Sequence, residues 1–441
     1  MTKEELLTKK VALVTLGCDK NRVDAEKMLY FLKDFGFSFC DDMYESEIVI
    51  VNTCAFIQSS RTESINKILD IKYNSKKLEK LIVTGCLPQK NLEDLKNNFN
   101  EVDLFLPLKE NKFIVKHILN LYEIDEEFLP HFCNLNRIVS TPKNYAYLKI
   151  ADGCDNFCSY CTIPFIRGRY NSIPMDNLIL EAKELVKNGV TEIILIAQDV
   201  TKYGYDLYKE YKIVELIRKL SEIENLKWIR LLYCYPELIS DSLINEIDNN
   251  PKVCKYIDIP LQHISDRILK LMNRKGDKKR IEEVIKKFRN CKNYISIRST
   301  FIIGFPSETR KDFNEIKQFL KKFKLNNVGF FAYSKEEGTK AYKMKKQIPN
   351  FIKKMRLNAI QKLQKNVILK CNDEFVGKTV EAVLEEINDT CLIFRSQYNS
   401  PEIDSIIIVE NQNQNLHIGD YKNIKIIASV DIDLIGEIVW N

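Results

Sequence analysis

The sequence has no apolar run long enough to cross a bilayer as a helix. Stretches such as Ile193–Ala197 and Ile406–Val409 are strand-length, whereas a spanning helix needs about 20 apolar residues. The opening residues, MTKEELLTKK, are polar and lack the apolar core of a signal peptide. There is no low-complexity tract and no internal repeat. Net charge is also small, +6 over 441 residues, which alone argues neither for nor against nucleic acid. With 45% hydrophobic residues, what remains is a cytoplasmic globular chain that buries a substantial core. Its length exceeds one ordinary domain, so two or three are expected.

Cysteine, by contrast, is abundant. Thirteen is an odd number, and a reducing compartment disfavours a disulfide framework. Cys40, Cys133, Cys234, Cys254, Cys291, Cys371 and Cys391 stand alone, without ligand spacing. They read as small buried hydrophobes. The other six fall into two sets.

The first set follows a strand–loop–helix rhythm. Val11–Leu16, Ile48–Val51 and Leu81–Val83 read as buried strands. Helical stretches run from Asp24 to Phe35 and from about Ser59 to Tyr73. Such alternation predicts a parallel sheet covered by helices. Ligand sites in these sheets lie at the carboxyl ends of the strands. A cysteine follows each strand: Cys18, Cys54 and Cys86. Gaps of this size match no local metal loop, but the three should meet at one sheet edge. Asn21 and Gln89, just beyond two of them, could tune the site.

After an irregular, linker-like stretch at 121–143, the pattern changes scale. Strands are expected at Tyr145–Ile150, Glu192–Ile196, Trp228–Leu232, Tyr256–Ile259, Ile295–Ile303 and Val328–Ala332. Helices such as Asp176–Asn188, Ile213–Ile223 and Glu308–Phe323 separate them. Six β/α units suggest an incomplete parallel barrel of the TIM type. A bridging helix runs from Asn350 to Lys370. From Phe375 to Asn441, short β-rich runs punctuated by Gly, Asn and Asp suggest a small antiparallel barrel. The fold class is therefore α/β, with domains at residues 9–120, 140–372 and 374–441.

The second cysteine set is the loop Lys149-Ile-Ala-Asp-Gly-Cys154-Asp-Asn-Phe-Cys158-Ser-Tyr-Cys161. Three thiolates from one short loop can hold three irons of a four-iron cluster. The fourth iron, without a protein ligand, can be chelated by the amino and carboxylate groups of S-adenosylmethionine. Electron transfer into the sulfonium then releases a 5′-deoxyadenosyl radical. A zinc knuckle is the competing reading, but no fourth Cys or His lies nearby. The loop follows the first barrel strand, at the carboxyl mouth where barrel active sites sit. Tyr160 is placed to pack against the adenine. Gln198 ends the second barrel strand, and Arg298 and the Gly304-Phe-Pro306 turn belong to the fifth; all are candidate contacts to the cofactor. His263 ends the fourth strand and could face a substrate, although a lone histidine is more often structural.

Over essentially its whole length the chain resembles the methylthiotransferases of the radical S-adenosylmethionine superfamily. That resemblance implies an N-terminal methylthiotransferase domain, a radical barrel and a C-terminal TRAM domain. It implies a second four-iron cluster on Cys18, Cys54 and Cys86, beside the one on Cys154, Cys158 and Cys161. It further implies two uses of S-adenosylmethionine. One methylates sulfur, and the other generates the radical that removes hydrogen from the substrate. An unactivated C–H bond offers no acidic proton, so general-base catalysis could not reach it.

Within the family, local sequences resemble the branch acting on a ribosomal protein. Leu16-Gly-Cys-Asp-Lys-Asn21, Tyr256-Ile-Asp-Ile-Pro-Leu-Gln-His263, Tyr333-Ser-Lys-Glu-Glu-Gly-Thr339 and Asp433-Leu-Ile-Gly-Glu437 carry that likeness. Asp19, where Pro is more usual, departs from it. The implied substrate is an aspartate β-carbon of ribosomal small-subunit protein twelve, with a flavodoxin or ferredoxin as electron donor. A transfer-RNA methylthiotransferase is the alternative within the family. A non-catalytic iron–sulfur RNA-binding module is the alternative outside it. Between Phe375 and Asn441 four basic residues face eleven acidic ones, a local net charge of −7. An RNA-binding barrel needs a positive groove, so this balance argues against direct RNA binding and for a basic protein partner.

Overall fold

Ile-Val-Ile-Val at 48–51 has no polar alternation, the mark of a strand covered on both faces. In the computed structural model, which describes residues 1–126, 136–412 and 415–440, Ile48–Thr53 is buried throughout. The chain forms two compact units. The first is Met1–Ser140 with Asp152–Asp155 and Cys161–Tyr170. The second is Thr141–Ala151 with Asn156–Tyr160 and Asn171–Asn441.

In the first unit, β1 (Lys10–Thr15), β2 (Ser38–Phe39), β3 (Ile48–Thr53), β4 (Lys80–Gly85) and β5 (Leu104–Pro107) form a parallel sheet of order β2-β1-β3-β4-β5. The two edge strands are absent from the sequence reading. One has two residues, and the other is short and ends in proline, which is tolerated at an edge. Helix Asp19–Phe35 begins five residues before the expected Asp24, with Cys18 as its N-cap. Gln58–Asn74 and Cys86–Asn98 follow β3 and β4. Of the stretch read as a linker, residues 127–135, including Pro130 and Cys133, lie outside the described residues. The residues just beyond are anchored, because Ser140 donates to the buried Glu26 from its backbone (2.8 Å) and its hydroxyl (2.7 Å), and Arg137 pairs with the same carboxylate.

The second unit contains β6 (Tyr145–Lys149), then, past the short β7 (Ala151–Asp152) and β8 (Asn171–Ser172), β9 (Glu192–Ile196), β10 (Trp228–Leu231), β11 (Tyr256–Gln262), β12 (Ser296–Ile303) and β13 (Asn327–Ala332). These strands pair in parallel as two sheets, β10-β9-β6 and β11-β12-β13. A single parallel bridge, Ile229 to Val253, leads from β10 toward the second sheet. All six expected barrel strands form, each within a few residues of its expected limits. The bridging helix spans Asn350–Asp373.

β14 (Thr379–Ile387), β15 (Cys391–Ser396), β16 (Ile407–Glu410), β17 (Tyr421–Val430) and β18 (Asp433–Ile438) close into a small barrel. Its pairings are antiparallel except for β16 with β18, which is parallel. The parallel seam arises because β18 closes the barrel between β16 and β17. This barrel seats on the amino ends of the parallel strands. Tyr145 donates to Glu402 (3.1 Å) and Tyr256 to Asp404 (2.8 Å). Tyr421 packs edge-on against Trp228 at 4.9 Å. Glu192, fully buried at the start of β9, bridges Arg230 (2.7 Å) and Arg395 (2.7 Å). Among the described residues, no helix is long and apolar enough to cross a membrane.

Candidate functional site

Gly17, in the turn after β1, and Gly85, the last residue of β4, have φ of 96° and 97°, a region that L side chains seldom adopt. A Cβ on Gly17 would lie 2.7 Å from Cβ of Cys54 and 3.1 Å from its Sγ. Cys18 therefore follows a residue pressed against Cys54. Asn21, fully buried, sits at the same point. Its amide donates to the carbonyls of Leu16 (3.0 Å) and Thr53 (2.9 Å), tying the ends of β1 and β3. Its Oδ1 lies 3.6 Å from Sγ of Cys86. The three cysteines, separated by over thirty residues at each step, thus converge at the carboxyl edge of the sheet.

The elements around them favour anions. Cys18 caps helix Asp19–Phe35, and Cys86 is the first residue of its own helix, so two positive helix ends face the group. Ser64 clamps Cys54, accepting from its N–H (3.2 Å) and donating to its carbonyl (2.9 Å). Cys54 and Cys86 are buried, while Cys18 presents surface to solvent. Burial pushes the Cys86 thiol up to about 12; Arg167 opposes this, and Cys18 and Cys54 add to it. Cys18 is also raised, because protein atoms crowd its cleft even though part of it meets water; Lys20 and Arg167 pull the other way. Any metal taken up by these thiols would have to displace their protons.

Arg167 escaped the sequence reading. It lies six residues beyond Cys161, yet Ile166 before it is buried in the hydrophobic cluster of the first unit. Its guanidinium reaches Asp152 (2.8 Å), Asp24 (3.1 Å), Asn21 and Sγ of Cys86 (3.9 Å). The only sequence signal was a basic residue soon after the loop. Gln89, expected to tune the site, instead accepts from the backbone of Leu108 (3.1 Å) and braces the turn after β5.

The central loop is held in both units. In the first, Cys154 donates its N–H to the carbonyl of Gly168 (3.1 Å), and Sγ of Cys161 accepts from Ile163 (3.4 Å). Gly153 cannot carry a side chain, since a Cβ would meet the carbonyl oxygen of Arg169 at 2.1 Å. In the second, Asn273 donates to the carbonyls of Asn156 (3.2 Å) and Phe157 (2.9 Å). Ser159 donates to Met272 and Leu271, and Sγ of Cys158 lies 3.8 Å from the Tyr235 hydroxyl. Asp199, buried beside Gln198, accepts from Asn156 (3.2 Å).

These residues fit iron–sulfur clusters. Among the described residues no group of three His, Cys, Asp or Glu could hold a metal ion as it stands. A cubane requires something different, with each thiolate reaching a separate iron across a wider span. The loop thiols of Cys154, Cys158 and Cys161, and the thiols of Cys18, Cys54 and Cys86 at three strand ends, are the residues that would hold such groups.

The softer candidates have mixed outcomes. Tyr160 is half-buried against a cluster that includes Met272, Phe305 and Tyr333. Gln198 is half-buried at the end of β9. Arg298 sits in the amino half of β12, paired with Asp404 (3.4 Å) and Asp258 (3.8 Å), and braces the small barrel rather than the carboxyl mouth. Gly304 is needed for packing, since a Cβ would lie 2.4 Å from Lys353 of the bridging helix. His263, expected as a candidate substrate contact, is fully buried, and its Nδ1 accepts from the backbone N–H groups of Ile264 (2.9 Å) and Ser265 (3.0 Å), holding the turn that precedes helix Asp266–Leu271. Cys234, Cys254 and Cys371 are buried, and Cys40, Cys291 and Cys391 half-buried.

Residues 10–107 match an uncharacterized protein family, UPF0004; residues 148–320 match the radical SAM superfamily; residues 376–439 match the TRAM domain. A ribosomal protein uS12 methylthiotransferase RimO of Thermoanaerobacter sp. (strain X514) is 43% identical over 97% of this chain and 100% of its own length. The RimO of Clostridium botulinum (strain Hall) is 44% identical over 98% of both. Among solved structures, the radical S-adenosylmethionine methyltransferase TsrM of Kitasatospora setae aligns with TM-score 0.53 at 12% identity, over 76% of this chain and 74% of that one. The cobalamin-dependent radical enzyme OxsB aligns at 0.51 and 11%, over 82% and 57%. Identities this low establish a shared fold only. Membership of the radical SAM superfamily implies a four-iron cluster and S-adenosylmethionine. The chain belongs to the RimO family of radical S-adenosylmethionine methylthiotransferases.

Proposed function

We propose that this enzyme adds a methylthio group to the β-carbon of an aspartate in ribosomal small-subunit protein twelve. The convergence of Cys18, Cys54 and Cys86 carries the reading, in a chain that also holds the Cys154–Cys158–Cys161 loop. On this view each set of three thiolates holds a four-iron cluster. When bound, the loop cluster and S-adenosylmethionine supply the radical that removes hydrogen from the aspartate. The chain's own residues orient and exclude. Asn273 and Ser159 fix the loop carbonyls and amides, Asn21 holds the triad, and Tyr160 and Gln198 line the cofactor's side. A flavodoxin or ferredoxin supplies electrons, and the reaction takes place in the cytoplasm. The domains are residues 9–120, 140–372 and 374–441.

Substrate choice rests partly on the small barrel. Several of its acids are already used: Glu381 pairs with Lys227 (2.7 Å), Glu385 with Arg395 (2.7 Å) and Asp431 with Lys365 (2.6 Å). Glu386, Asp389 and Glu410 remain exposed, around the β14–β15 turn and the end of the neighbouring β16. They attract a basic protein and repel phosphates.

The test is mass spectrometry of ribosomal protein twelve from cells with and without the gene. The expected result is a mass increase of one methylthio group on an aspartate, present only with the gene. Loss of methylthiolated nucleoside from transfer RNA, with the protein unchanged, would overturn the reading.

A further inference from the structure

The side chain of Arg167 is 2% exposed, and its guanidinium is enclosed within the first unit. One nitrogen forks onto both oxygens of Asp152, at 2.8 and 3.1 Å. The other meets Asp24 (3.1 Å), Oδ1 of Asn21 and Sγ of Cys86 (3.9 Å). Oδ1 of Asn21 also lies 3.6 Å from that sulfur, so the arginine holds the amide in the orientation that faces Cys86. The amide's other end cannot turn away, because it donates to Leu16 and Thr53. Arginine is always charged and presents a rigid fork of donors. It is thus a fixed cation, in a low-dielectric site, against one sulfur of the triad.

Asp152 stands two residues before Cys154, so one side chain links the start of the radical loop to the N-terminal triad. A cluster gains negative charge on reduction, and hydrogen bonds and net charge at its sulfurs set its potential. A buried cation there stabilises the reduced state. We propose that Arg167 is a positioning residue for the N-terminal cluster, which keeps Asn21 and Cys86 in register and raises the cluster's reduction potential. This rests on the reading that Cys18, Cys54 and Cys86 hold iron.

The experiment uses the full chain carrying Cys154→Ala, Cys158→Ala and Cys161→Ala, reconstituted anaerobically with iron and sulfide. Iron per chain is measured, and the midpoint potential is read by spectroelectrochemistry. In that background Arg167→Gln is expected to shift the midpoint to more negative values, and Arg167→Lys to restore most of the shift. Asp24→Asn removes an anion that offsets the guanidinium but leaves Arg167 in place. It is expected to shift the midpoint in the opposite direction. Unchanged potential in Arg167→Gln, with iron retained, overturns the proposal. If that variant fails to fold by circular dichroism, Asp24→Asn decides, and the absence of a positive shift overturns it. If the parent background itself binds no iron while folded, the cluster reading fails, and the proposal with it.

Discussion

Gly17 and Gly85 each precede a cysteine, but their substitution should act differently. At Gly85 a Cβ would meet the backbone of Thr53 at 2.4–2.5 Å. Strand backbone cannot move without disturbing the sheet. At Gly17 the clash is with the Cys54 side chain, at 2.7 Å. Positive φ alone costs of order 1–3 kcal/mol for a non-glycine residue. Gly85→Ala is therefore expected to lower the melting temperature the more. Gly17→Ala should cost less stability but displace Cys54, so it should lose N-terminal iron out of proportion to its melting temperature. Thermal melts with iron assays on both variants test this. Equal iron retention in Gly17→Ala and the parent would contradict it. The place of His263 at a strand end suggested a substrate contact, but its ring nitrogen holds the backbone of Ile264 and Ser265 from inside the core.

The element whose seat matters most is the small barrel, held at the amino ends of the parallel strands by Glu192 between Arg230 and Arg395. Burial alone would raise the pKa of Glu192, but the two guanidiniums outweigh it and hold the carboxyl below its usual range. Removing one partner of such a buried group leaves uncompensated charge, at about 3–5 kcal/mol. Glu192→Ala should show a loss of that size in denaturant unfolding at neutral pH. The pH dependence follows from the sign of the shift. Because the folded pKa is depressed, the stabilisation is complete above the unfolded value, about 4.3. It is lost as pH falls through the lower folded value. The stability gap between the parent and Glu192→Gln should therefore be full at pH 7 and narrow below about pH 4. A gap that widened in acid would refute the assignment.

For the whole molecule, the small barrel has a structural duty beside any role in recognition. A chain ending after Asp373 would expose Tyr145, Trp228 and Tyr256 and leave Glu192 and Arg230 without Arg395. With at least one buried network broken, its melting temperature should fall by roughly 10 °C, at 2–4 °C per kcal/mol. The shortened chain should also bind a hydrophobic dye. If it melted like the parent and failed only in binding the ribosomal protein, the barrel would be a recognition module alone. The −7 balance of this region therefore cannot be assigned wholly to a partner. Glu381, Glu385 and Asp431 serve internal ion pairs, and among the exposed acids Glu386, Asp389 and Glu410 gather around the β14–β15 turn and the end of β16, where they can steer a partner. Charge reversal of those three to Lys should slow association with ribosomal protein twelve, most at low salt. Unchanged association kinetics would remove the barrel from recognition.

The sequence by itself determined the local chemistry and the succession of elements. Three thiols within eight residues announce a cluster loop wherever the loop is folded. Apolar runs closed by Gly and Cys place cysteines at strand ends, because strand and turn formation depend on near neighbours. The parallel barrel and the five β-rich runs at the C-terminus were legible for the same reason. Tertiary structure alone decided what depends on distant residues. Arg167 sits beside the radical loop in sequence but turns to Asn21 and Cys86, because Ile166 is drawn into the core of the first unit. Arg298 and Gly304 lie on an expected barrel strand and the turn after it, yet they answer to Asp404 and Lys353, from elements far along the chain. No periodicity records such pairings. They arise when buried charge must find a partner and close-packed helices leave no room for a Cβ.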